Sequence, residues 1–526
     1  MTRHTYRYLL PAMAISATAC FLFFRYAYPY HLLHREQMLL FTYTAGQWAD
    51  YFVHPAPLAC LGGDFLTQFF RLPDVGAAIV ALAMTLAGTL VYSACRKWTG
   101  SRTATAVALL AFAWESMRFC QISYPLSGTV ALIGSLALFL WVDRLKGKRM
   151  FAIGSIAGIP VCYALFGYGM FVFALLAVLS ALTRKRHLAG ACGMAAVALT
   201  LPYMAAGTYL IMPAQAYSFP ATSWYEAPDW EDERILGLNT EEYAENFDKI
   251  GELINKGNPA NAVSVCYNLA NAMQGKLPER LMGYYQPAAL GLFMPVNENS
   301  TYLSTQLAGE VWFQLGDMTL AEHAAILSMI FSPQHKNVRM VKRLAEINLI
   351  TGDEEAARKY LRILSKTLFY KQWAEDRTPG KESEKVKQWL ERKRACLPAK
   401  DTLRLSSTDV AKSLHLLLEA NPDNRMARDY LLCFDLLMKD LPAFLKDYER
   451  YHTGAPGRLY AEALLIHLYQ KRATGEETKA RGIHPAVIKD FNEYNRLHAQ
   501  GQGNPAVLEN KFGRTYWFYY QFAQFN

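Results

Sequence analysis

The strongest constraint on this chain is an alternation in its first two-fifths: long runs without a charged residue, separated by short clusters of lysine and arginine. Residues 8–24, 75–94 and 126–142 are such runs, and residues 151–182 extend one to about 32 residues. A backbone placed in hydrocarbon must satisfy its own N–H and C=O groups, and an apolar run does so as a helix. The 151–182 run would be roughly 48 Å long as one helix, more than a ~30 Å hydrocarbon core needs. Gly167-Tyr168-Gly169 near its middle, with Pro160 upstream, predicts two helices in a tight hairpin.

The expected fold is therefore all-α, with about seven transmembrane helices in residues 1–213. They are placed near 8–24, 75–94, 103–116, 126–142, 151–166, 169–182 and 188–212, with a long outer loop at 25–74. Ala17-Thr18-Ala19-Cys20 hints at a lipoprotein cleavage site, but Phe21 to Phe24 continue the apolar run, so an uncleaved anchor is expected. With the N-terminus inside, the inner segments carry about 12 Lys/Arg, among them Arg96-Lys97, Lys148-Arg149 and Arg184-Lys185-Arg186. The outer segments carry about four: Arg25, Arg35, Arg71 and Arg118. This bias predicts a cytoplasmic N-terminus and, after seven crossings, a periplasmic C-terminal portion in a bacterial inner membrane. Tyr217, Phe219, Trp224, Tyr225 and Trp230 in the interfacial linker 214–245 suit an aromatic belt beside membrane lipid.

The outer loop gathers ionisable groups: His31, His34, Arg35, Glu36, Asp50, His54, Asp64 and Asp74. A solvated loop explains them plainly. The alternative is a site at the membrane surface, with Glu36 and Asp50 as catalytic carboxylates and Asp64 and His34 as ligands of a divalent metal. Glu115 and Arg118, three apart, are expected to form an ion pair capping a span. The spans otherwise hold essentially no buried charge, which argues against an ion path.

From residue 246 to 526 the pattern becomes helix after helix with charges every few residues. Gly316-Asp317 and Gly352-Asp353 recur about 36 residues apart, each between an amphipathic stretch and an alanine-rich one. Lys256-Gly257-Asn258 offers a third turn, Ser332-Pro333 and Asn421-Pro422-Asp423-Asn424 further breaks, and residues 375–382 a solvated one. The pattern resembles the tetratricopeptide repeat, so a TPR-like α-hairpin solenoid with a face for protein partners is expected. The closing aromatics, Thr515-Tyr516-Trp517-Phe518-Tyr519-Tyr520, are expected to cap the last hairpin.

A net charge of +9 without a basic stripe interleaved by aromatics gives no reason to expect nucleic acid. Nine cysteines show no CxxC or Cys/His metal spacing, and no phosphate-cradling loop, Gly-x-Ser-x-Gly elbow or zinc-protease helix is present. Three phrases carry a family likeness: His34-Arg35-Glu36-Gln37 ahead of Leu61-Gly62-Gly63-Asp64-Phe65; Lys342-Arg343-Leu344-Ala345-Glu346-Ile347-Asn348-Leu349; and the closing aromatics. In them the whole chain resembles an uncharacterised family of bacterial envelope proteins with several spans and a TPR-like tail. That resemblance implies the topology alone; the hairpin array, a recognition surface more often than a catalyst, gives the expected function, a membrane-anchored assembly scaffold whose tail binds an envelope protein. A looser likeness is to polyprenyl-phosphate-dependent membrane glycosyltransferases. It implies Glu36 or Asp50 as base or metal ligand, although the first outer loop holds no adjacent acidic pair and the later spans are few and short.

Overall fold

The computed structural model describes residues 7–183, 188–221, 228–332, 335–398, 409–501 and 503–524, and every regular element among them is helical. The cluster Arg184-Lys185-Arg186, Trp224, Tyr225 and Pro333, all part of the expectations above, lie outside the described residues. The chain divides into two units, Met1–Leu236 with Lys366–Phe369, and Gly237–Ser365 with Tyr370–Asn526.

Unit 1 is built on α1 (Leu9–Leu22, continued by a π turn at Phe23–Ala27), α2 (Pro29–Gln37), α3 (Ala45–Tyr51), α4 (Pro57–Thr67), α5 (Pro73–Cys95) and α6 (Ser101–Phe119). It continues with α7 (Leu126–Val142), α8 (Lys148–Phe166), α9 (Gly169–Thr183), α10 (Leu188–Tyr209), α11 (Pro213–Ser218) and the start of α12 (Trp230–Tyr243). The apolar helices pack as neighbours: α1 and α6 on α5, α7 on α5, α8 and α9, and α10 on α8 and α9.

Among the described residues four helices are long and apolar enough to cross a membrane: Leu9–Ala27, Pro73–Cys95, Lys148–Phe166 and Gly190–Tyr209. That corrects the expectation of about seven. The helices α7 and α9 are apolar but have 17 and 15 residues, ~25 Å and ~22 Å against a ~30 Å core. The third expected span is the 19-residue α6, which carries Arg102, Glu115 and Arg118. The long apolar run does break at Gly167, where φ is +55° and an added Cβ would lie 2.3 Å from the Phe219 carbonyl oxygen.

Residues 25–74, expected as a long loop, are folded into helices. Of these, α4 lies against α7 so closely that a Cβ on Gly63 would meet the Ser127 backbone nitrogen at 2.4 Å. Two ends of the bundle can then be told apart. At one, Lys97 Nζ sits 2.6 Å from Asp143, which also accepts from Ser180 Oγ at 2.8 Å, and Arg102 lies over the Tyr8 ring. The start of α1, the α5–α6 connection and the C-terminal ends of α7 and α9 therefore meet there. At the other, Arg25 pairs with Asp74 at 2.5 Å, and Ala56 N–H donates to the Ala164 carbonyl.

Unit 2 comprises the rest of α12, α13 (Phe247–Ile254), α14 (Asn261–Met273), α15 (Leu277–Arg280), α16 (Tyr302–Leu315), α17 (Met318–Phe331), α18 (Val338–Thr351), α19 (Glu354–Leu364), α20 (Lys371–Glu375) and α21 (Glu384–Arg394). It ends with α22 (Val410–Ala420), α23 (Arg425–Leu437), α24 (Leu441–Tyr451), α25 (Arg458–Gln470), α26 (Gly475–Ala480), α27 (Pro485–Gln500), α28 (Pro505–Phe512) and α29 (Tyr516–Phe522). The two Gly-Asp turns close helical hairpins. Gly316 and Gly352 take the left-handed conformation that stops α16 and α18. Asp317 and Asp353 then cap the next helix through the N–H groups of Leu320 and Ala356. The closing aromatics bury themselves against their own unit: Trp517 Nε1 donates to the Glu462 carbonyl at 2.9 Å, and Tyr516 and Tyr519 donate to the last carbonyls of α23, Leu436 and Leu437. Those carbonyls are among the four that a helix end leaves unpaired.

Candidate functional site

A buried polar cluster in unit 1 surrounds the C-terminal end of α6, where sequence reasoning expected a simple capping pair. The i,i+3 spacing does put Glu115 and Arg118 on one face, 3.5 Å apart. Yet the Glu115 side chain is only 1% exposed, so its charge is buried inside the bundle. Glu115 lies within the expected span 103–116, so the expectation of spans essentially without buried charge is corrected there; Asp143, just past the end of α7, is buried as well. A buried carboxylate is tolerated when its lone pairs are filled. Here Tyr124 OH and Thr129 Oγ1 donate to Glu115 Oε1, the latter at 2.8 Å. Arg118 stacks 4.2 Å from the Tyr124 ring centre and donates to Tyr168 OH at 3.4 Å, while Tyr168 OH donates to the Gly128 carbonyl at 3.0 Å.

The elements that supply these groups explain the geometry. Tyr124 precedes Pro125 at the start of α7, and Tyr168 sits in the Gly-Tyr-Gly turn between α8 and α9, its N–H held by the Phe219 carbonyl at 2.8 Å. Two connections thus converge at one carboxylate, the first bonding to it directly and the second through Tyr124. The role of the arrangement is positional: it ties α6, α7 and the α8–α9 turn at a fixed mutual height, with Glu115 Oε2 left to the Arg118 guanidinium 3.5 Å away.

On the other side of the same helix end, His31 Nε2 lies 2.7 Å from the Phe119 carbonyl oxygen and 2.9 Å from Arg35 Nε. Burial, and then the Arg35 charge, hold the His31 imidazole well below its ordinary pKa, hence neutral. The first two residues of α2 after Pro29 present free N–H groups, as every helix start does. Glu233 on α12 takes both: Tyr30 N–H at 2.7 Å and His31 N–H at 2.9 Å. Burial pushes the Glu233 carboxyl up to about 8 against the pull of those two donors. Tyr28 OH donates to the Asp229 carbonyl at 2.9 Å, so the segment leaving unit 1 is fastened at the end away from Lys97 and Asp143.

The residues singled out for chemistry are dispersed. Glu36 and His34 lie on α2, both buried and both engaged in contacts. Asp50, on α3, is exposed and makes no side-chain hydrogen bond or ion pair among the described residues. Asp64, on α4, is half-buried and accepts from Tyr51 OH at 2.8 Å. His54 is exposed, its ring 6.1 Å from that of Phe219. Among the described residues no three His, Cys, Asp or Glu side chains gather into a group that could hold a metal ion. Sequence reasoning missed Tyr124, Thr129, Tyr168 and Glu233. The one signal for them was the placement of tyrosines beside Pro125 and between Gly167 and Gly169.

No curated protein and no solved structure matches the chain. A family model does, over residues 4–523, nearly the whole length of both units. The chain belongs to that family, DUF6057, described as a family of unknown function.

Proposed function

We propose that this chain is a multi-span protein of the bacterial inner membrane that displays unit 2, a TPR-like stack of helical hairpins, on the periplasmic side as a docking platform for an envelope protein. The observation that carries the reading is the polarity of unit 1. Lys97, Arg102 and the basic connections after α5 and α7 sit at one end of the bundle, and such ends stay cytoplasmic. The chain leaves from the other end, through Asp229 and Glu233. The shorter helices α7 and α9 would lie among longer neighbours and contact lipid over less than a full bilayer thickness. Hairpin stacks serve far more often as recognition surfaces than as catalysts.

Trypsin added to intact spheroplasts tests the reading. It should digest residues beyond 237 and leave fragments of α5 to α10 protected. Digestion of that region only after the membrane is opened would reject the periplasmic platform.

A further inference from the structure

Charge in unit 2 is arranged in two layers around α18. In the inner layer Arg343 is buried and saturated: it donates to Glu310 at 2.6 Å and to Glu346 at 2.9 Å. The outer layer is built differently. Lys342 Nζ lies 4.9 Å from the ring centres of both Tyr243 and Trp373, and Arg377 stacks 4.3 Å from Trp373; the buried Arg339, bonded to Asn239, belongs with the inner layer and backs the Tyr243 ring at 4.3 Å. Lys342, Tyr243, Trp373 and Arg377 are each half-buried, so this layer reaches solvent.

Its cations are under-used. Lys342 makes no hydrogen bond or ion pair among the described residues, unlike Lys97, Lys249 and Lys511. Arg377 Nε is buried without a hydrogen-bond partner there, and Nη1 makes a single long bond, 3.4 Å, to the Trp373 carbonyl. The acids that face Arg377 are Glu346, already paired with Arg343, and Asp376. Glu242, beside Arg339, is kept largely protonated at neutral pH, since burial pushes its carboxyl up to about 8. Aromatic faces hold a cation in place without cancelling its charge, and a guanidinium retains donors for a carboxylate at its edge.

We propose that this cation–aromatic face is the docking site for an acidic peptide segment of a partner protein. Carboxylates of the segment meet Lys342 and Arg377, and an adjoining apolar side chain lies on the open edges of Trp373 and Tyr243. The proposal rests on reading unit 2 as a platform, and adds the chemistry of what it takes.

The test uses the full-length protein in detergent and a fluorescein-labelled peptide of alternating glutamate and phenylalanine, followed by anisotropy. The expected result is saturable binding that weakens with salt and drops about tenfold or more in Lys342→Gln/Arg377→Gln. Both positions are half-exposed, so the variant should melt at the wild-type temperature. Equal binding of the glutamine-for-glutamate peptide, equal binding by the variant, or tighter binding of a labelled oligothymidylate would overturn the proposal. If it is overturned while removal of unit 2 still strips a co-purifying protein, the platform reading stands and only this site falls.

Discussion

Replacing Arg343 with methionine keeps most of the side-chain length and removes the cation that two buried carboxylates face. Glu310 is 4% exposed and Glu346 8% exposed, and both lose a charge-assisted bond, at 2.6 Å and 2.9 Å. The Phe313 ring, whose centre lies 3.5 Å from the guanidinium, keeps an apolar neighbour, so packing changes little. Arg339 and Lys393 still lie near Glu310, but the direct partner of both acids is gone, and deleting one partner of such a buried pair costs about 3–5 kcal/mol. At ~2–4 °C per kcal/mol for a unit of this general size, the melting midpoint should fall by about 6–20 °C. Two units can melt separately, so the readout must belong to unit 2. Cys433, wholly buried on α23, supplies it through pulse alkylation against temperature, read by mass spectrometry. A fall below ~2 °C would refute the reasoning, because Arg343 would then not be neutralising those acids. Adding Glu310→Leu and Glu346→Leu to Arg343→Met should recover part of the loss, since an apolar replacement of the whole triad leaves no orphaned charge.

Further outcomes follow from the same accounting. Gly63→Ala drives a Cβ into the Ser127 backbone and should abolish the monodisperse detergent-solubilised protein, whereas Gly46→Ala, with nothing within 4 Å, should leave its elution profile unchanged. Tyr124→Phe removes one donor to the buried Glu115 and should lower stability by about 1–3 kcal/mol; an unchanged melt would show that the cluster at α6 holds nothing in place. Burial, and for Asp435 the nearby Asp447, push Asp435 and Glu242 up to about 8, so folded unit 2 keeps protons that the unfolded chain releases above the ordinary carboxyl range. Their contribution to stability is full at low pH and is lost as pH rises toward 8. The wild-type midpoint should therefore fall more steeply from pH 5 to 8 than that of Glu242→Gln/Asp435→Asn, and equal slopes would contradict the assignment.

How much of this could be read from the residues varies with the physics involved. The long uncharged runs announce α1, α5, α8 and α10 because nothing else can house so much apolar sequence, and Gly167-Tyr168-Gly169 marks the break where the longest run reverses. The Gly-Asp turns were legible for a local reason, a left-handed stop followed by a capping aspartate. Span counting failed at α6, α7 and α9, where length and charge fall short of the rule. The polar sites were hidden for the opposite reason. Glu115 is only an acid near a helix end until Tyr124 and Thr129, from the start of the next helix, donate to it and Tyr168, from a later turn, bonds to Tyr124. Glu233 meets α2 across some 200 residues of chain, and no local pattern encodes that.

Everything proposed for unit 2 depends on which side of the membrane it occupies. Paired reporter fusions after Asn526 measure this most directly, because alkaline phosphatase becomes active only once exported, whereas a green fluorescent protein fusion fluoresces only in the cytoplasm. The account predicts an active phosphatase fusion and a dark fluorescent one. A bright fluorescent fusion with an inactive phosphatase would place the platform, and the acidic-peptide site on it, on the wrong side of the membrane.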